Sequence, residues 1–127
     1  MKTFLYSAYV LTLESRERLL SWLAENGKTI KANEYLHHST IEYGADTLVP
    51  DSWIGMSAKL YIFGYVENEF ASAFAVNIGT NIPGHVTIST AEGFKAVEAK
   101  YLTEFGKIER LPALIEIETI ITKFYAE

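Results

Sequence analysis

The sequence predicts an α+β fold: a mostly antiparallel sheet with two helices on one side. Three observations lead to this class. One segment places its apolar residues on a single helical face. The residues from 57 to 78 alternate like two strands joined by a short turn. The predicted order of elements along the chain is β-α-β, β-β, β-α-β, which is typical of an α+β domain.

The first half of the chain is predicted as strand, helix and strand. Residues 3–13 are rich in Thr, Tyr, Val and Leu, which favours a strand. Residues 14–27 form the segment with one apolar helical face, and Asn26-Gly27 provides a C-terminal stop. Residues 34–43 read as the second strand, and a polar loop follows it.

The second half begins with the hairpin over 57–78. Residues 79–84, with the sequence GTNIPG, have the composition of a turn. The next strand covers 85–90, and a helix is predicted over 91–105, closed by a glycine. Isoleucines alternating with Glu and Thr predict a last strand over 112–125.

Composition restricts the class of protein. A chain of 127 residues of which 49% are hydrophobic predicts a single domain, 1–127, with a real core. The net charge of -5 argues against binding to duplex DNA, which requires a basic face. Without cysteine there is no disulfide and no thiol nucleophile. No segment approaches the ~20 apolar residues of a membrane span, so we expect a cytoplasmic protein that does not engage a membrane.

Two short motifs have the same form. His38-Ser39-Thr40-Ile41 and His85-Val86-Thr87-Ile88 both read His, any residue, Thr, apolar, and they use two of the three histidines. Residues i and i+2 of a strand point to one face, so each motif offers an imidazole beside a hydroxyl. If the two strands are neighbours in the sheet, both pairs converge on one pocket. His37 is expected on the opposite face, in a structural or surface position.

This combination of groups suits phosphodiester chemistry. A neutral imidazole accepts a proton from a water or ribose hydroxyl, and a protonated one gives a proton to the leaving oxygen. The threonine hydroxyls can donate to the non-bridging phosphate oxygens. The candidate catalytic residues are therefore His38, Thr40, His85 and Thr87, with either histidine as the base. No carboxylate stands at a spacing that completes a metal site, so we expect neither metal nor cofactor.

A nucleotide substrate also needs a surface for its base, and aromatic stacking usually supplies it. Trp53, in the loop after the first motif, is the preferred candidate; its alternative is a hydrophobic plug over the core. Tyr9 on the first strand is a second candidate for lining the cleft. Tyr43 stands at an odd offset from Thr40, which predicts core packing away from the pocket.

The paired motifs resemble the two-histidine (HxTx) phosphoesterase superfamily. The segments HHSTIEYG, IGMSAKLYIFGYVENEFASAFAV and HVTISTAEGFKAVEAKYL look like its compact Swiss-army-knife RNA-repair branch. That branch includes the cyclic phosphodiesterase domain of fungal-type tRNA ligases, and the similarity runs over about residues 34–104. The branch follows its second motif with Lys-Pro and then Ser-Asn. Here Lys95 matches the lysine, while Ala96 and Ala99 replace the proline and the serine.

The resemblance implies a bilobal fold around a central cleft and metal-independent cleavage of 2′,3′-cyclic phosphates or related phosphodiesters. It carries the four motif residues over as catalytic and Lys95 as substrate-binding. The superfamily also includes small viral enzymes that destroy cyclic oligonucleotide signals of host immunity. A short chain without a ligase or kinase domain suits that use, which would place the protein in the host cytoplasm.

Three hypotheses follow. The leading one is a phosphodiesterase acting on a cyclic nucleotide or cyclic oligonucleotide, or, alternatively, on the 2′,3′-cyclic phosphate of an RNA end. The second is a sponge that holds a nucleotide without cleaving it, which the alanines at 96 and 99 motivate. The third is a structural or interaction protein. The sequence leaves the base preference and the oligomeric state open.

Overall fold

The computed structural model of the chain describes residues 2–79 and 83–127. Within them lie one seven-stranded sheet, two α-helices and a short 3-10 turn, Asp51–Trp53. The elements are β1 (Thr3–Leu11), α1 (Leu13–Glu25), β2 (Asn33–Glu34), β3 (His38–Tyr43), β4 (Ser57–Glu67), β5 (Ala71–Asn77), β6 (Gly84–Thr90), α2 (Val97–Phe105) and β7 (Glu109–Ala126). The strand order is β2-β6-β5-β4-β7-β1-β3, and all neighbouring pairs are antiparallel. The predicted α+β class is confirmed.

The two helices pack on opposite faces of the sheet, and the expectation of one shared face was wrong. Phe74 on β5 lies in the main core with Leu19 and Leu23 of α1. The next residue in β5, Ala73, lies instead in a smaller cluster with Leu102 of α2. Since successive side chains of a strand point to opposite faces, the two helices cover different sides. The cavity described below lies on the α2 side.

Helix α1 closely matches its predicted range. The Thr12 hydroxyl caps its N-terminus by accepting a hydrogen bond from the backbone N–H of Ser15 at 3.1 Å. Helix α2 is shorter than the predicted 91–105, because Gly93 takes a φ of +86° and the chain turns there before the helix begins. Neither helix in the described residues is long and apolar enough to cross a membrane.

The predicted strand over 34–43 is two strands with a bend between them. Among the described residues, Leu36 alone combines a side chain with a positive φ, +49°, and it is fully buried. Its backbone N–H donates to Thr87 O at 2.9 Å, which continues the pairing of β2 with β6. From His38 onward the chain pairs with β1 instead. The segment therefore connects two ends of the strand order, and the sheet curls so that β3 contacts β6.

The loop between β3 and β4 is attached to β7 by a buried cation. The Lys123 side chain is only 3% exposed and lies 2.8 Å from an Asp46 carboxylate oxygen and 2.6 Å from Asp51. At the other end of the loop, the Glu42 carboxylate accepts hydrogen bonds from the backbone N–H groups of Thr47 and Leu48. These bonds fix the loop, including the turn that carries Trp53, against β3 and β7. The predicted turn at 79–84 falls partly outside the described residues.

Leu36 provides a test of the bend. Both Leu36→Ala and Leu36→Gly should lower the free energy of unfolding by about 2–5 kcal/mol, because each empties a buried site. Leu36→Gly should nevertheless be the more stable of the two by about 1 kcal/mol, since a left-handed backbone penalises any residue with a Cβ. Chemical denaturation measures both values.

The matched control is the same pair of substitutions at Leu23, which is buried in the interior of α1. There Leu23→Ala should be the more stable by about 1 kcal/mol, as expected in a helix. The same order at both positions would show that Leu36 does not hold a left-handed backbone.

Candidate active site

A cavity of about 760 Å³ opens between β3, β6 and α2. All four motif residues line it: His38 and Thr40 from β3, and His85 and Thr87 from β6. We expected the motifs to converge if their strands were neighbours in the sheet. The two strands are not hydrogen-bonded to each other; they meet because the sheet curls. Convergence of the motifs therefore depends on tertiary curvature and not on strand pairing.

Two local features bring the strands close. The Leu36–Thr87 backbone hydrogen bond holds the residue two positions before the first motif against the second motif. Gly84, immediately before His85, lies where a Cβ would come 2.8 Å from Ile78 Cγ2 and 3.5 Å from Ser39 Oγ. A side chain there would push against Ile78 and towards the first motif. The absence of a Cβ thus permits the close approach.

His38 is held from two sides. Its ring stacks on Tyr6, with centroids 5.1 Å apart and planes inclined by 28°. Its Nδ1 lies 2.9 Å from Nδ1 of His37, at hydrogen-bonding distance. His37 also lines the cavity, so the prediction that it faces away was wrong. The reason is that His37 precedes the first residue of β3 and follows the left-handed Leu36, so the regular alternation of a strand does not apply.

The environment favours the neutral form of His38. Burial, then the charges of His37 and His85, lower the pKa of His38 to about 4. At neutral pH this imidazole is therefore uncharged and has one ring nitrogen free to accept a proton. A histidine with a depressed pKa beside a second histidine in a cleft is typical of functional sites.

Two opposite charges on α2 act on the second imidazole, that of His85. Burial is the main cause that lowers the pKa of His85; the Glu104 carboxylate raises it and the Lys100 ammonium lowers it. Lys100 and Glu104 are four residues apart, so they share a helix face, and both line the cavity. Sequence reasoning missed them because it did not establish which face of the helix turns towards the motifs. Their helical spacing shortly after the second motif was the available signal.

An exposed aromatic surface lies beside Tyr6, the ring that stacks on His38. Tyr43 is 78% exposed, lines the cavity and stacks parallel to Tyr6, with a centroid distance of 6.1 Å and planes 14° apart. The prediction that Tyr43 packs away from the pocket was wrong. The register between β1 and β3 shifts so that Ile41 has no partner, and this bulge brings Thr40 and Tyr43 to the same side.

The structure does not bring the three predicted substrate-binding residues to the cavity; none is among the described residues that line it. Trp53, 46% exposed, lies on the 3-10 turn of the loop attached by Lys123. Tyr9 packs partly buried against the main core, on the α1 side. Lys95 is exposed in the turn that precedes α2. Among the described residues Lys100, and not Lys95, is the lysine that lines the cavity.

The described residues contain no group of three or more His, Asp, Glu or Cys side chains placed to hold a metal ion. In comparisons with known proteins, no family model and no curated protein sequence matches this chain. The resemblance to the two-histidine phosphoesterases stays a prediction from the paired motifs and the segments around them. What the site can do chemically follows from its geometry: three imidazoles, two threonine hydroxyls, one ammonium and one carboxylate line the same cavity.

The opposite effects of Lys100 and Glu104 on the pKa of His85 should be distinguishable by titration of variants. Lys100→Gln removes a positive charge beside His85 and should raise the pKa of this histidine, because its protonated form is no longer repelled. Glu104→Gln removes the favourable negative charge and should lower the pKa of His85. NMR titration of the histidine ring protons measures both shifts.

The control is Lys107→Gln, which removes an exposed cation just beyond α2 and should leave the pKa of His85 unchanged. Shifts of the same sign in Lys100→Gln and Glu104→Gln would contradict the assignment.

Proposed function

We propose that this protein is a metal-independent phosphodiesterase that cleaves a cyclic nucleotide or a cyclic oligonucleotide. The observation that carries the proposal is that the imidazoles and hydroxyls of both motifs line one cavity. Two imidazoles can supply a base and an acid to the same phosphorus centre. Two hydroxyls supply neutral donors for the oxygens on which charge develops.

In the proposed reaction the phosphodiester lies between His38 and His85. His38 is neutral and accepts the proton of an attacking water or ribose hydroxyl as its oxygen forms a bond to phosphorus. The opposite P–O bond breaks, and a protonated His85 gives its proton to the leaving oxygen. Glu104 favours that protonated form. After the step His38 carries an additional proton and His85 has lost one. His38 then releases its proton to water and His85 takes one up from water, which returns both to their starting states.

The other lining residues support a small anionic substrate. Lys100 provides a positive charge for the phosphate in a chain whose net charge is -5. The cavity volume of about 760 Å³ is within the range typical of small-molecule sites. Tyr43 offers an exposed aromatic face on which a nucleobase can stack, and its ring packs on Tyr6, which in turn stacks on His38. The acidic surface disfavours long RNA, although an RNA end with a 2′,3′-cyclic phosphate presents the same chemistry.

One observation favours a second candidate, a non-catalytic sponge for the same class of nucleotide. The pKa values of both His38 and His85 are lowered, so the surroundings of neither motif histidine favour the protonated form that a general acid needs. Ala96, which stands where the related branch has proline, also lines the cavity. A sponge would bind its nucleotide stoichiometrically and release it intact.

The first test is a product assay in EDTA. The substrates are 2′,3′-cyclic mononucleotides, cyclic di- and trinucleotides, and an RNA that ends in a cyclic phosphate. His38→Gln and His85→Gln should each lower the rate by at least about 100-fold, the contribution expected of a general base or acid. Products are identified by mass spectrometry, and thermal melting checks that each variant is folded.

Thr29→Val, an exposed threonine outside the cavity lining, is the matched control and should keep full activity. Cleavage of a cyclic oligonucleotide alone would support a signal-degrading enzyme, and cleavage of the RNA end alone a repair enzyme. Recovery of every substrate intact, with one of them bound stoichiometrically, would overturn the enzyme and leave the sponge.

A second test concerns the aromatic surface. Tyr43→Ala should raise KM for a nucleotide substrate about tenfold with little change in kcat, because stacking contributes ~1–3 kcal/mol per base. Tyr43→Phe retains the ring and should stay near the wild-type KM. Tyr61→Ala removes an exposed tyrosine of β4 outside the cavity lining and serves as the control. A loss in kcat with unchanged KM would argue against a role in base binding.

A further inference from the structure

The contact between the two adjacent histidines is not explained by the reaction outlined above. Nδ1 of His37 and Nδ1 of His38 lie 2.9 Å apart, and their rings are nearly perpendicular, at 84°. Two nitrogens at this distance share one hydrogen, so one ring donates and the other accepts. Since Nδ1 of His38 is occupied by this contact, Nε2 is the nitrogen left for a substrate.

We propose that His37 is a positioning residue: its Nδ1 accepts the Nδ1–H of His38 and leaves the lone pair of His38 Nε2 facing the substrate. The catalytic consequence rests on the proposed phosphodiesterase function, whereas the hydrogen bond itself does not. A neutral imidazole carries one N–H, so fixing it at Nδ1 makes Nε2 an acceptor. Only an acceptor at that place can take a proton from the attacking oxygen.

The surroundings of the two rings favour this direction of the hydrogen bond. His37 is exposed, so its remaining Nε2–H can donate to water. In the opposite direction the hydrogen would lie on Nε2 of His38, whose ring is the less exposed of the two. An N–H on the more exposed ring keeps its hydrogen bond to water, which favours donation from His38 to His37.

The pair is also held in place by the backbone and by neighbouring rings. The carbonyl of His37 accepts the N–H of Leu11 at 2.9 Å, which fixes the backbone between the two histidines. The His37 ring lies against Phe124, with centroids 6.1 Å apart, and Tyr6 stacks on His38. These contacts restrict both rings, so the direction of one hydrogen bond sets the tautomer of His38.

The test reads the tautomer directly. Long-range proton–nitrogen NMR spectra of the full chain with labelled histidine, recorded at pH 7.5–8, distinguish Nδ1–H from Nε2–H rings. His38→Gln identifies the signals of His38. The wild-type protein should show His38 as Nδ1–H, and His37→Phe, which retains a ring against Phe124 but no nitrogen, should shift it towards Nε2–H. His37→Asn places an amide oxygen near the former Nδ1 and should keep the Nδ1–H form.

Activity is measured on the substrate that the product assay identifies. His37→Phe should lower kcat by at least about tenfold with KM nearly unchanged, because a base in the wrong tautomer cannot accept the proton. His37→Asn should recover most of the loss. An Nε2–H tautomer at His38 in the wild type, or a His37→Phe variant with full kcat, would overturn the proposal while leaving the phosphodiesterase intact. A wild-type protein that cleaves nothing would overturn the proposed function. The tautomer of His38 would then decide by itself whether His37 accepts the Nδ1–H of His38.

Discussion

The site depends on one backbone hydrogen bond, from the N–H of Leu36 to the carbonyl of Thr87. It ties the residue two positions before His38 to the second motif, while the neighbouring carbonyl of His37 is tied to Leu11 of β1. The segment is thus bonded to strands that lie far apart in the sheet order, and only a curled sheet satisfies both bonds. Leu36 tolerates a left-handed backbone, which costs about 1–2 kcal/mol for an L-residue, because its side chain is fully buried in the main core.

The curvature of the sheet affects the pKa values of the two motif histidines. Bringing two imidazoles to one half-buried cavity lowers the pKa of each, mainly through burial and, at His38, also through the neighbouring imidazoles. An anionic phosphodiester placed between them acts in the opposite direction, because a nearby negative charge favours the protonated form. The Glu104 carboxylate already raises the pKa of His85, so His85 needs a smaller further rise in pKa than His38 does before it is protonated. The proposed acid, His85, therefore becomes protonated when the substrate binds. Acid–base chemistry is in this way compatible with the lowered pKa values of the two histidines.

Sequence patterns predicted the strands and the i, i+2 pairing within each motif, because these follow from local periodicity. They did not predict three irregularities, and each changed the site. The left-handed Leu36 moved His37 into the cavity, the bulge at Ile41 turned Tyr43 towards it, and the turn at Gly93 delayed α2. Glycine at 93 was a readable signal of the turn. Neither Leu36 nor Ile41 carries such a signal, since tertiary bonds to β6 and β1 impose their conformations.

The two motifs contribute unequally, although both of their strands carry a bulge at the isoleucine that follows the threonine. Short β3 and the left-handed Leu36 before it bring His37, His38, Thr40 and Tyr43 to the cavity, whereas β6 contributes His85 and Thr87. Under the proposed function, the nucleobase lies beside β3, because the exposed ring of Tyr43 is there, and the attacking oxygen lies near His38. The charged residues that adjust the second histidine come from α2, across the cavity. The leaving oxygen then lies on the side of β6 and α2. The residues around the motifs, Tyr43 on one side and Lys100 with Glu104 on the other, therefore give the substrate a direction in an otherwise symmetric pair of motifs.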